Sequence, residues 1–286
     1  MIPMKTDPPA MNNLVRRTLV GIVFLVVMVF GLIWDRLIFG CLFLVILYFC
    51  LKEYYDISLG GRFSLGSKLG ILAGASAFVA VACVRFWEMS QALLLVPLGL
   101  LLLIPVANVL FGDKDNYSDV ETVYGGLLYI ALPISLSPFI VMDGFVFDGW
   151  LLLSLFILVW ASDVGAYCIG TLLGQKPNSA KLAPEISPHK SWWGFWGGIA
   201  LSLVAAFVLN RLGWFAFSVW HSLAVGLIVS AGGVCGDLFE SLWKRHHHVK
   251  DSGNIIPGHG GMLDRFDSSL VAIPLACVYL AAFGLL

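Results

Sequence analysis

Charge is scarce in this 286-residue chain. Asp, Glu, Lys and Arg make up 12% of it, against 59% hydrophobic residues; a soluble domain carries about 25% charged and about 45–50% apolar residues. That imbalance excludes an ordinary water-soluble globule, and the shortage of polar residues excludes a disordered chain. The net charge of −1 supplies no global field for nucleic acid, so no nucleic-acid partner is expected. Cysteine is sparse and scattered, at Cys41, Cys50, Cys83, Cys168, Cys235 and Cys277, with no CxxC pair. This argues against a thiolate metal site or a disulfide framework and for small buried hydrophobes. No internal repeat of roughly 20–50 residues is visible, which removes solenoids, and no matching halves of the transporter kind are seen.

What the chain has is long apolar runs. With about 20 apolar residues needed per span, nine candidates stand at 17–34, 37–54, 68–85, 91–111, 123–142, 149–174, 192–210, 214–240 and 268–286. The expected fold class is therefore an all-α polytopic membrane protein with about nine transmembrane helices. The first run follows Arg16 and Arg17, but no small-residue cleavage site comes after it, so it reads as a retained span. With the N-terminus in the cytoplasm and alternating spans, 14 of the 17 Lys and Arg residues fall inside, leaving only Arg36, Arg85 and Arg211 outside. That positive-inside bias places the N-terminus in the cytoplasm and the C-terminus outside. Residues 1–13, polar with three prolines, are expected to fray. Residues 1–145 are plain apolar spans with short loops. Residues 146–286 carry acids in or at the ends of spans and two long inside loops, and are expected to hold the chemistry.

Three groups of ionisable residues need explaining. Asp163 lies near the middle of the sixth span, where a carboxylate costs about 2.5–3.5 kcal/mol on insertion scales; it must face the interior or a wet cavity, sharing a face with Tyr167 and Gly170. Asp237 closes the eighth run, and on a helix Asp237, Ser241, Lys244 and Arg245 form one polar stripe, with Glu240 able to pair with Lys244. The third group is Lys250-Asp251 and then Pro257-Gly258-His259-Gly260-Gly261-Met262-Leu263-Asp264-Arg265-Phe266-Asp267. Its glycines let backbone N–H groups turn toward an anion. Carboxylates for a hard cation, bases for phosphate oxygens and a glycine-rich turn are the ingredients of phosphoryl-type chemistry. A related loop, from Ile186 to Gly198, sets Ser187 and Lys190 before a helix N-terminus that favours an anion, while Trp192, Trp193 and Trp196 read equally well as interfacial anchors. The run His246-His247-His248 invites a zinc reading, but adjacent histidines diverge by about 100° on a helix and no Cys or Glu is spaced to complete a site. A transporter using Asp163 and Asp237 as an ion path is a further reading; its charges should lie at the midplane, whereas most of the charges here gather at one face.

The pattern Ser241, Lys244-Arg245, Lys250-Asp251, Pro257, His259-Gly260-Gly261, Asp264-Arg265 and Asp267 resembles the signature of the phosphatidate cytidylyltransferase (CDP-diacylglycerol synthase) family. The stretch Gly236-Asp237-Leu238 through Glu240-Ser241, the Asp163 to Ala166-Tyr167 stretch and Ser187-Pro188 with Lys190 resemble it too, so the likeness covers roughly residues 150–270. The chain departs from the family pattern at Trp243, where an aliphatic residue is usual, at Ser191 and Trp193, where Thr and Glu are common, and at Thr171. The resemblance implies an Mg2+-dependent nucleotidyltransferase that transfers CMP from CTP to phosphatidic acid and releases pyrophosphate, in a bacterial inner membrane, with its site on the cytoplasmic side. It implies CTP, phosphatidic acid and membrane lipid as partners, a homodimer as the assembly, and room for a second cation. Catalytic roles fall to Asp237, Asp264, Lys244, Lys250 and Arg265. Metal ligation falls first to Asp237 and Asp264, then to Asp163 and Asp267. Phosphate and substrate contacts fall to Ser187, Lys190, Ser241, Arg245, His259, Gly260 and Gly261. A sibling enzyme acting on another lipid phosphate is the alternative.

Overall fold

The structure is a computed structural model that describes residues 10–112, 117–176, 179–256, 258 and 260–286. Residues 1–9, Pro257 and His259 of the sequence reading lie outside those residues. Eleven α-helices are present among the described residues: α1 (Ala10–Ile33), α2 (Arg36–Leu59), α3 (Ser64–Trp87), α4 (Leu95–Phe111), α5 (Ser118–Gly126), α6 (Leu132–Ile140), α7 (Trp150–Leu172), α8 (Trp192–Arg211), α9 (Val219–His246), α10 (Leu263–Phe266) and α11 (Ser269–Ala282). Among the described residues, eight helical segments are long and apolar enough to cross a membrane, counting α5–α6 and α10–α11 as one segment each; the apolar part of α1, Arg17–Ile33, is shorter. The chain is an all-α polytopic membrane protein, and each of the nine expected spans falls on a helical segment. Of residues 1–13, expected to fray, residues 1–9 lie outside the described residues and 10–13 form the first turn of α1. The long loop before α8 contains a hairpin, in which β3 (Lys181–Ala183) pairs antiparallel with β4 (Ser187–Ser191). A smaller hairpin, β1 (Met142–Asp143) with β2 (Val146–Phe147), closes the turn before α7.

Local chemistry sets the helix ends. Asp35 starts α2 by accepting the Leu37 N–H at 2.7 Å, as an N-cap should. Gly60 stops it in the left-handed region at φ +55, donating its N–H to the Asp56 carbonyl, a conformation that favours glycine. Between α5 and α6 the chain widens into one π turn, Leu127–Ala131, in which the Leu132 N–H reaches back to the Leu127 carbonyl. Pro133 follows; it has no N–H to donate and its ring crowds the preceding turn, so the wider turn absorbs the fault.

Large side chains pack the first half: Leu32, Phe39, Ile46, Leu47, Tyr55, Phe78 and Ile104 are fully buried. The second half buries Leu152, Leu155, Leu158 and Leu263 as completely, and adds close helix contacts at small residues. A Cβ on Gly165 of α7 would lie 2.4 Å from the Gly197 carbonyl oxygen of α8, and one on Gly197 would lie 2.5 Å from the Ile169 Cβ. The α8 backbone touches the α7 backbone at Gly165 and receives the Ile169 side chain at Gly197, close approaches that small residues permit in a membrane. A Cβ on Gly236 of α9 would likewise fall 2.4 Å from the Asp267 carbonyl oxygen. Polar bonds reinforce these contacts, Ser162 Oγ to Ser230 Oγ at 2.8 Å and Ser202 Oγ to the Gly226 carbonyl at 2.9 Å. Close packing thus brings Asp163 of α7, Asp237 of α9 and Asp267, in the turn between α10 and α11, toward one end of the bundle.

Candidate active site

The hairpin is pinned onto the end of α7. Lys181 Nζ donates to the Gly174 carbonyl and to Gln175 Oε1, both at 2.9 Å, and Gln175 Nε2 donates to the His189 carbonyl at 2.8 Å. β4 then runs directly into α8, whose first turn is capped by the buried Ser191 Oγ accepting the Gly194 N–H at 3.2 Å. Ser191, one of the departures from the family pattern, therefore has a structural task. This arrangement holds Lys190 over α9, with its Nζ 2.6 Å from Asp237 Oδ2. One turn further along α9, Ser241 Oγ donates to Asp237 Oδ1 at 3.3 Å.

A cavity of about 580 Å3 opens beside this pair, lined among others by Asp163, Tyr167, Gly170, Lys190 and Asp237. The shared face expected of Asp163, Tyr167 and Gly170 is the face that α7 turns to this cavity. A second cavity of about 180 Å3 lies between α1, α7 and the start of the last span; Asp163, Asp264, Arg265 and Asp267 form its polar side, and Val20, Phe24 and Trp160 contribute to its apolar side. Asp163 and Ser268 line both cavities. The four carboxylates expected to hold metal are therefore distributed around the two chambers, with Asp163 at the shared wall.

The loop between α9 and α10 is organised by acids. Asp264 Oδ2 accepts the N–H groups of Ser252 at 2.9 Å and Gly261 at 2.8 Å, and Asp264 Oδ1 lies 2.7 Å from Lys244 Nζ. Lys244 also donates to Glu240 Oε2 at 2.7 Å. Gly260 sits at φ +89, a region open to glycine at little cost, and its carbonyl accepts the Ile256 N–H at 3.1 Å. Glu53, reaching in from α2, accepts from Ser252 Oγ, the Met262 N–H and the Leu263 N–H. The sequence reading missed Glu53. Its signal was an acid at the end of the second apolar run, the kind of signal that drew attention to Asp237.

The remaining expected residues spread around this centre. Arg245, Lys250 and Arg265 are exposed, and only Arg265 borders one of the two cavities. Ser187 opens β4 opposite Ala183 and lines neither cavity. Trp243 donates from Nε1 to Ser58 Oγ at 2.9 Å and stacks on Tyr54 at 5.1 Å, so this departure joins α9 to α2. Burial, and then the neighbouring His246 and Arg62, hold His247 below the ordinary histidine value.

Among the described residues, no three of His, Cys, Asp and Glu are grouped to hold a metal ion. Mg2+ does not require three, because it takes one or two carboxylates with water and substrate oxygens. The donor set fits that habit. Asp163 makes no ion pair or hydrogen bond to the described protein, and Glu240 Oε1 is buried without a partner. Asp237 and Asp264 are each neutralised by a lysine.

A helical membrane protein with a carboxylate- and lysine-lined chamber at one end of its bundle is the class this fold and site define. The chain belongs to the cytidylyltransferase family, whose sequence profile matches residues 15–283. A phosphatidate cytidylyltransferase of Bacillus subtilis (strain 168) is 46% identical over 128 residues, which span 45% of this chain and 46% of that protein. The phosphatidate cytidylyltransferase of Staphylococcus aureus (strain COL) is 47% identical over 125 residues, 44% of this chain and 46% of its own. The match thus spans about half the length of these curated relatives.

Proposed function

We propose that this chain transfers a cytidylyl group from CTP to phosphatidic acid, giving CDP-diacylglycerol and pyrophosphate. The observation that carries the reading is the convergence of Lys190 and Asp237 on one chamber with Asp163, and of Lys244 and Asp264 beside it, in a family of cytidylyltransferases. A phosphate oxygen of the lipid attacks the α-phosphorus of CTP. A new P–O bond forms, the bond from the α-phosphorus to the bridging oxygen breaks, and pyrophosphate leaves with that electron pair. No protein nucleophile is needed. The obstacle is the approach of one anion to another, and preorganised cations lower it.

In this reading Lys190 and Lys244 meet phosphate oxygens as point charges and Arg265 makes the broader bidentate contact. Arg245 and Lys250 draw the nucleotide in from solution. Asp237 and Asp264 would hold Mg2+, with Asp163 and Asp267 supporting it. Such an ion, when bound, offsets charge on the triphosphate and the leaving pyrophosphate. Ser241 orients Asp237 through its hydroxyl. The site faces the cytoplasm, where CTP is found and where the positive-inside rule directs the basic loops. The setting is the bacterial inner membrane and the assembly a homodimer, both inferred from the family resemblance.

The test is transfer of label from CTP into organic-extractable lipid by purified protein in mixed micelles containing phosphatidic acid. We expect transfer that requires Mg2+ and is lost in Asp237→Asn and Asp264→Asn. A folded wild-type protein that transfers no label to phosphatidic acid overturns the assignment.

A further inference from the structure

The carboxylate of Glu53 has no Lys or Arg partner among the described residues; neutral donors alone meet its charge. Ser252 Oγ donates to Oε2 at 2.8 Å, the Met262 N–H donates to Oε1 at 2.8 Å, and the Leu263 N–H donates to Oε2 at 2.9 Å. These partners come from the two ends of one loop, 199 to 210 residues away in sequence. Two glycines form the walls. A Cβ on Gly253 would lie 2.6 Å from Glu53 Oε1, and one on Gly261 would lie 2.5 Å from Oε2 and 2.1 Å from Ser252 Oγ. Any larger residue would displace the carboxylate.

Ser252 passes the constraint on. Its one hydroxyl proton is committed to Glu53, so its lone pairs turn toward the Asp264 N–H, which donates to it at 3.3 Å. In return the Ser252 N–H donates to Asp264 Oδ2 at 2.9 Å. Asp264 Oδ1 then holds Lys244. An unbroken chain of polar contacts therefore runs from α2 in the N-terminal half, through the loop, to the carboxylate and the lysine beside the chamber.

From this geometry we infer that Glu53 is a positioning residue for the transfer reaction, acting through Ser252 and Asp264 rather than on substrate. It fixes the ends of the 252–263 loop so that Asp264 and Lys244 keep one arrangement through the reaction. The inference rests on the proposed cytidylyl transfer for its kinetic consequence and not for its structural one. Replacing such a supporting partner costs about 10-fold to 100-fold in rate.

The experiment uses full-length Glu53→Gln in mixed micelles, with amide hydrogen exchange and kinetics measured on the same preparation. The amide sets NH2 against at least one of the donors that the carboxylate accepts. Expected is loss of protection at Ser252 and at 261–264, with other spans unchanged. Label transfer from CTP per folded molecule should fall about 10-fold to 100-fold, mostly in kcat rather than in KM for CTP. Ser252→Ala, which keeps both backbone bonds to Glu53 but cuts the relay, should reproduce the kcat loss even if Glu53→Gln folds poorly. Asp56→Asn, which removes an exposed ion pair with Lys52 on the same helix, is the control and should change neither readout. Unchanged loop protection in Glu53→Gln overturns the inference, and so does an unchanged kcat per folded molecule in both variants. If the wild type transfers no label, cytidylyl transfer fails as the function, and the exchange data alone decide whether Glu53 holds the loop.

Discussion

Lys244 on α9 and Asp264 at the head of the last span meet through an ion pair of 2.7 Å, with the two side chains 13% and 7% exposed. The same ammonium group lies 2.7 Å from Glu240, whose side chain is fully buried. One lysine thus bridges two acidic side chains in a region where water is scarce. Lys244→Met should destabilise the protein by about 3–5 kcal/mol, the usual result of leaving a buried charge without its partner. Thermal unfolding in detergent measures this. Adding Glu240→Gln to Lys244→Met should recover part of the loss; no recovery would mean that Glu240 is not the group that suffers.

The Lys190–Asp237 pair should behave differently. Its side chains are 23% and 36% exposed, and partly solvated pairs contribute roughly 0–1 kcal/mol. Lys190→Gln should leave the unfolding temperature nearly unchanged while reducing cytidylyl transfer at least about tenfold, the direction that the proposed phosphate contact of Lys190 requires. Parallel loss of stability and activity would place Lys190 among the structural residues.

Gly236→Ala tests the packing that brings α9 against the last span. Its methyl would meet the Asp267 backbone oxygen at 2.4 Å, and no side-chain rotation relieves a clash with backbone. Overpacking of this kind costs about 1–3 kcal/mol. Unfolding temperature should fall and transfer should fall with it, because Asp237 is the next residue along. Gly99→Ala, where a Cβ meets nothing within 4 Å, should be neutral in both assays.

Trp243→Leu replaces this chain's aromatic with the aliphatic type usual in the family. It removes the bond to Ser58 and the stacking on Tyr54, together about 1–3 kcal/mol. The expected outcome is a lower unfolding temperature with transfer per folded molecule unchanged. A loss of transfer at full stability would instead make Trp243 part of the chemistry.

The long apolar runs made the helices legible, since periodicity and length alone suffice when every backbone group must be satisfied within the span. The polar stripe of Asp237, Ser241 and Lys244 was equally legible, because a helix of known pitch fixes which residues share a face. Lys244 pairs with Glu240 as that spacing allows, and Ser241 reaches Asp237. The β3–β4 hairpin was not legible. Lys181-Leu182-Ala183 and Ser187-Pro188-His189-Lys190-Ser191 have no apolar alternation, and what holds them is backbone pairing and Gln175, which binds at long range. Glu53 was passed over for a related reason: its partners lie about 200 residues away, and its place at the end of an apolar run does not reveal that N–H and O–H groups meet it. The seam of Gly165 and Gly197 could be seen as glycine in helices, but its partners could not.

That seam limits how this chamber can evolve. Where two helices touch backbone to backbone there is no side chain left to trim, so substitution there can only force the helices apart. The depth of the chamber is in this sense frozen. Its mouth is not, because Leu182 and His189 of the hairpin also line it and stand on a short ribbon tethered by a few hydrogen bonds. Relatives that accept a bulkier or smaller head should therefore differ in the hairpin while keeping the glycines beneath it.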